Sequence, residues 1–234
     1  MGLLDDARET ARENVAALAP RIREGWDVVT VEPSEAVMYQ VDYPDLFPVG
    51  GDTDVPRPGE EDEPEGSAAA DGGYSRRETE PAGSNGRDDP REAVPDVEAV
   101  ANNTYGVVEY LDVFGLDGSL TVDSAGGSLA YHGHCQQKAT KKDHHAVGVL
   151  RRAGFAVDPL DSGCCGMAGS FGYEAEHYSM SMAIADLLFD QLDRSPADRV
   201  VAPGASCRTQ LEEYDDGTPP HPVEVLADAL AEPE

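Results

Sequence analysis

From Gly127 onward the sequence repeats one pattern three times: a short apolar run, a turn bearing cysteine, and a segment with helical periodicity. GSLAYHG runs into Cys135, FAVDPL into Cys164 and Cys165, and ADRVVAPG into Cys207. Strand and helix alternating at this pace predict an α/β fold with parallel strands. In an open α/β sheet, sites form beyond the carboxyl ends of the strands. All three cysteine turns fall at that end, so the chain's four cysteines can converge although they are far apart in sequence.

The predicted helices of this half are Lys142 to Ala153, Glu174 to Leu192, one opening at Cys207, and Val223 to Leu230. In the second, Tyr178, Met182, Ala185, Leu188 and Leu192 share a stripe. Ahead of them, SLTVDS is predicted to pair with GSLAYHG around a tight turn. Val97, Val100, Thr104, Val107, Val108, Leu111 and Phe114 make one further helical face. At the start, Leu4, Ala7, Ala11, Val15, Leu18 and Ile22 form a helix that stops at Gly25. WDVVTV (26–31) is predicted to be a buried strand, and a second helix follows over Glu35 to Phe47. Between these halves the residues from Val49 to Asp96 are crowded with Gly, Pro, Asp, Glu and Ser. Such a segment buries too little apolar surface to offset the entropy of ordering. The expected division is a partial module without cysteines (1–48), a disordered acidic insertion (49–96) and a cysteine-rich module (97–234).

Charge narrows the partners. With 17 Lys and Arg against 46 Asp and Glu, the formal net charge is −29. That is the opposite of a nucleic-acid-binding footprint. The acidic excess also covers segments with good hydrophobic periodicity, which points to a protein adapted to high salt, where screening makes dense surface charge tolerable. No apolar run approaches the roughly 18–20 residues that span a bilayer. The first residues, MGLLDD, enter a polar amphipathic helix rather than a signal peptide. The expected compartment is the cytoplasm, where disulfides are rare and cysteines more often serve as ligands or redox groups.

A lone free cysteine is ordinarily a small buried hydrophobe. A glycine-flanked pair with two more cysteines after strands argues for a site instead. Thiolates bind soft metals, and a [4Fe–4S] cluster takes four of them, which makes Cys135, Cys164, Cys165 and Cys207 the candidate ligands. Gly163, Gly166, Gly169 and Gly172 would let the backbone approach a bulky cofactor, and His134 is a candidate neighbour of it, as is His132. Two other readings stay open on the residues alone: a structural zinc site, although C-x₂₋₄-C pairs are missing, and a catalytic thiol at Cys135 beside His132 and His134. Arg208 could offset the charge of an anionic cluster or form a surface ion pair. His144, His145, His177 and His221 read as surface or packing residues.

YHGHCQQKA, DSGCCGMAGSFGYE, APGASCRTQ and HPVEVLADAL together resemble the cysteine-rich CCG module. That module occurs in heterodisulfide reductases and in the iron–sulfur subunits of glycolate oxidase and anaerobic glycerol-3-phosphate dehydrogenase. The strongest likeness is to the C-terminal region of fused FAD-linked oxidases of the D-lactate dehydrogenase type, over about Asn102 to Ala231. The family pattern is C…CCG…CxxC. Cys135, Cys164, Cys165 and Cys207 match four of its positions, and Gly204 stands at the fifth. VVTVEPSEAVMYQVDYPDL resembles the end of a preceding, related module, with Glu35 where relatives often have a cysteine. The resemblance implies an iron–sulfur electron-transfer module or subunit of an FAD-linked oxidoreductase acting on a 2-hydroxy acid such as lactate or glycolate, or on glycerol-3-phosphate. It implies FAD on a partner chain, a flavoprotein or ferredoxin-type subunit as that partner, and membrane contact only through it. The alternatives are a zinc-stabilised docking domain and a truncated, non-functional copy of such an oxidase. One expectation is independent of the cysteines: circular dichroism should show the fold loosening in low-salt buffer, and spectra unchanged from low to multimolar salt would refute salt adaptation.

Overall fold

A computed structural model describes residues 3–47, 94–120, 122 and 126–230. The insertion expected over 49–96 therefore lies outside the described residues, except that 94–96 open a helix. In chain order the elements are α1 (Leu4–Arg23), β1 (Val28–Thr30), α2 (Pro33–Val37), a π-helical stretch (Met38–Asp42), α3 (Tyr43–Leu46), α4 (Val94–Asn102), β2 (Thr104–Gly106) and α5 (Val107–Val113). A 3₁₀ turn (Leu116–Ser119) leads to β3 (Ser128–Tyr131), α6 (Cys135–Ala139), α7 (His144–Arg152), β4 (Ala156–Pro159), α8 (Tyr178–Leu192), β5 (Arg199–Val201), α9 (Ala205–Leu211) and α10 (Pro222–Asp228). Among the described residues, no helix is long and apolar enough to cross a membrane.

The α/β class is as the sequence predicts. β4, β3 and β5 form a three-stranded sheet in that order, and both pairings are parallel. β3 is central, and side chains alternate across it as the pleat requires. Leu129 and Tyr131 enter one core with α7, α10, Val157 and Val201. Ala130 faces the other way, into a core with Leu188 and Leu192 of α8 and Leu211 of α9. A parallel sheet covered on both faces needs apolar residues at successive positions, which is why its strands read as runs rather than as an alternation.

Two sequence expectations change. The Val97–Phe114 face is not one helix: α4 ends at Asn102, and Thr104–Gly106 is a strand parallel to β1. Val28 N–H donates to Asn103 O at 2.8 Å, and the Thr104 hydroxyl turns back to Val100 O at 2.7 Å. The period was real on each side, but Val97 and Val100 pack against α1 while Val108 joins the sheet's core. β1 is not a buried strand, since Trp26 is 62% exposed and Val31 is 65% exposed; among the described residues its sheet has only two strands. Much of the SLTVDS hairpin (121 and 123–125) lies outside the described residues; among those described, β3 pairs only with β4 and β5, and Val122 makes one isolated antiparallel bridge to Leu230.

Glu109 joins the two sheets' surroundings. Its buried carboxylate, in the first turn of α5, accepts from Gly106 N–H at 3.1 Å and from the Gln40 amide at 3.1 Å, and it pairs with Lys142. Gln40 also donates to Thr104 O at 2.7 Å. Removing the carboxylate leaves the buried Gly106 N–H without its partner, which costs about 1–3 kcal/mol. Glu109→Ala should therefore lower the urea midpoint by that amount without changing the slope of the transition. An unchanged midpoint would show that water replaces the carboxylate.

Candidate metal centre

Each cysteine sits just past the end of a sheet strand. β3 runs into His132, Gly133 and His134, and Cys135 is the first residue of α6. β4 runs into Leu160 and Ser162 and then the Cys164–Cys165 turn, while β5 leads through Gly204 to Cys207 in the first turn of α9. The ladder extends past the strands, with His132 N–H to Val201 O at 3.0 Å and Leu160 N–H to Tyr131 O at 2.9 Å. These bonds hold the three turns side by side.

The four thiols form one connected run. Cys164 contacts both Cys135 and Cys165, and Cys165 contacts Cys207. All four are free; Cys165 and Cys207 are buried, and Cys135 and Cys164 are half-buried. Without a cation the clustered thiols resist ionisation. Cys165 beside it and burial push the Cys164 thiol up, and burial followed by Cys164 does the same to Cys135. Cys165 is also raised, to about 12: its bond with Cys164 acts the other way, but Cys207 and burial outweigh it. A group of positive metal ions removes that repulsion, because thiolate is the ligating form. A backbone N–H group is already in place for the charge. Gly166 N–H donates to Cys164 Sγ at 3.3 Å.

Two residues that sequence reasoning passed over stand behind the thiols. Lys138 donates from Nζ to Leu160 O at 2.9 Å and to Ser162 O, so it ties α6 to the end of β4. Burial pulls its pKa down, while Asp143, Asp161, Cys207 and Cys135 pull it back up. Ser162, also buried, places its hydroxyl 2.7 Å from Nδ1 of His132. Burial first, then Lys138, depresses the His132 pKa to about 3, so the ring is neutral. An imidazole nitrogen of His132 and the sulfurs of Cys165 and Cys207 lie within 4.8 Å of one another. The clue in sequence was the position of Lys138, one helical turn after Cys135 in a chain poor in cations.

The other candidates divide. The His134 ring caps α6 through Nδ1, and its Nε2 lies 3.9 Å from Glu32 Oε1. A Cβ built on Gly204 would sit 2.5 Å from His134 Cδ2, so this imidazole fills the space that a side chain at 204 would need. A side chain at 204 therefore requires His134 to shift, and the thiols that the candidate site can draw on are the chain's four. Gly163 stands in open space, whereas Gly166 has φ +99 and lies hard against α8, where a Cβ would be 2.2 Å from Ser181 O. Arg208 turns away to Pro219 O at 2.7 Å and to Glu224 at 3.0 Å. His145 pairs with Asp112 at 2.6 Å, His177 stacks on Phe171, and His221 caps α10.

Comparison with known proteins agrees with this geometry. The model of the family described as "CCG: Cysteine-rich domain" matches residues 129–212. This segment is thus similar to the CCG cysteine-rich domain. The chain is 36% identical over 104 residues to one of the subunits of anaerobic glycerol-3-phosphate dehydrogenase from Escherichia coli K12, covering 44% of this chain and 26% of that protein. It is 32% identical over 109 residues to D-2-hydroxyglutarate dehydrogenase of the same strain, covering 45% of this chain and 11% of that one. The corresponding dehydrogenase of Haemophilus influenzae is 39% identical over 83 residues, 35% of this chain and 8% of its own length. The chain thus spans about a quarter of the first relative and about a tenth of the other two. What the chain shares with these oxidoreductases is therefore confined to its cysteine-rich part.

The turn's dependence on glycine gives a direct test. Gly166→Ala places a methyl on the α8 backbone at a φ that L-residues avoid. It should destabilise the protein by about 1–3 kcal/mol in urea unfolding, with a larger loss than Gly163→Ala. Equal, small effects at both positions would show that the CCG turn is free to move from α8.

Proposed function

We propose that this chain is the iron–sulfur electron-transfer module of an FAD-linked oxidoreductase. The observation that carries the reading is the gathering of four free cysteines on the three turns at the carboxyl end of a parallel sheet, each beside the next in the order Cys135, Cys164, Cys165, Cys207. Four thiolates are the usual ligand set of a [4Fe–4S] cluster, which would be held by Cys135, Cys164, Cys165 and Cys207. Such a cluster supplies one-electron transfer, and the organic step belongs to a flavin on a partner chain.

The chain's own residues do three things for that group. Buried Cys165, Cys207 and His132 exclude water. The N–H of Gly166, which donates to Cys164 Sγ, stabilises charge on that sulfur, and such donors set the potential of a bound cluster. Lys138 brings a fixed positive charge within reach of Cys135 and Cys207. The substrate of the whole assembly is read as a 2-hydroxy acid, such as lactate or glycolate, or glycerol-3-phosphate. The names of the relatives support that class: one concerns glycerol-3-phosphate, and the other, D-2-hydroxyglutarate, is a 2-hydroxy acid. The partner is a flavoprotein or ferredoxin-type subunit in the cytoplasm, and salt adaptation follows from the charge of −29.

Anaerobic reconstitution with iron and sulfide, followed by EPR of the reduced protein, tests the reading. The expected result is a stoichiometric cluster signal that Cys165→Ser abolishes. One zinc per chain and no iron in the protein as purified would favour a zinc-stabilised docking domain. No metal at all would fit a non-functional copy.

A further inference from the structure

The proton on His132 can be placed from its neighbours. His132 has no exposed surface, and its Nδ1 lies 2.7 Å from the Ser162 hydroxyl. Lys138 Nζ approaches the same oxygen at 3.4 Å, and an ammonium group only donates. Among the described residues, the one acceptor left for the Ser162 hydroxyl proton is His132 Nδ1. A neutral imidazole that accepts at Nδ1 carries its proton on Nε2. That Nε2 is buried and has no hydrogen-bond partner among the described residues. Buried polar groups in folded proteins are almost always paired, so an unpaired one calls for an explanation. The same ring has a nitrogen within 4.8 Å of the sulfurs of both Cys165 and Cys207.

We propose that His132 Nε2–H donates a hydrogen bond to a sulfur of the metal group held by the cysteines, either a cysteine thiolate or a bridging sulfide. His132 is then a positioning residue that sets the cluster's potential, and it is not a ligand. Lys138 and Ser162 are the relay that fixes its tautomer: the ammonium orients the hydroxyl, the hydroxyl occupies Nδ1, and Nε2 is left to point its proton at sulfur. The proposal rests on the iron–sulfur reading above. A donor facing a ligand sulfur stabilises the reduced, more negative state and so raises the potential.

The test uses the full chain, reconstituted anaerobically with iron and sulfide, carrying isotopically labelled histidine. Pulsed EPR of the reduced cluster should show a weak hyperfine coupling to a histidine nitrogen that His132→Leu removes. The midpoint potential should shift to more negative values in His132→Leu. His132→Gln, which keeps an N–H, should lie between that variant and the unsubstituted chain. A strong coupling typical of a coordinated imidazole would overturn the donor role. So would the absence of any histidine coupling, or a potential unchanged in a fully loaded His132→Leu. If His132→Leu loads no cluster, the unsubstituted spectrum and the Gln variant still decide. An unsubstituted chain that itself takes up no cluster overturns the iron–sulfur reading, and the donation falls with it.

Discussion

The parallel ladder on β3 is the constraint on which everything else depends. A central strand hydrogen-bonded on both edges, to β4 and β5, leaves no freedom of register. Because all three strands run the same way, their carboxyl ends open on one edge. Each turn emerging there carries cysteine, and the ladder bonds from His132 and Leu160 extend the order beyond the strands. Four thiols that repel one another as anions are held together by backbone geometry, before any metal contributes.

Covering both faces of that sheet ties the site to the hydrophobic core. Cys165 and Cys207 are packed among Ala130, Leu188 and Leu211, so the candidate site and the α8–α9 core are one body. The cysteine-free N-terminal segment also touches it. Glu32, at the start of α2, accepts from Ala205 N–H at 2.9 Å, at the start of the helix bearing Cys207, and approaches His134. The segment from α1 to α3, which has no cysteine of its own, thereby closes one side of the site.

Much of this was legible in the sequence, and what was not has identifiable causes. The strand–cysteine–helix rhythm announced the parallel sheet, since β-branched runs and stop signals are local. β2 was hidden because Thr104 and Tyr105 sit between two helical faces whose spacing runs on through them, and only pairing with β1 decides for strand. The exposure of Trp26 and Val31 was hidden because an apolar run does not say how many neighbours its strand will have. The cysteines could be grouped from their places after strands. Lys138 and Ser162 could not, since their role arises from hydrogen bonds between α6 and the end of β4.

The contact between His134 and Gly204 bears on the history of the site. The imidazole and any side chain at 204 compete for the same volume. A cysteine at 204 is therefore not one substitution away: it would first collide with His134, and a smaller residue at 134 alone would leave a hole and an uncapped α6. The two positions are therefore coupled: a side chain at 204 displaces the His134 ring from its cap on α6.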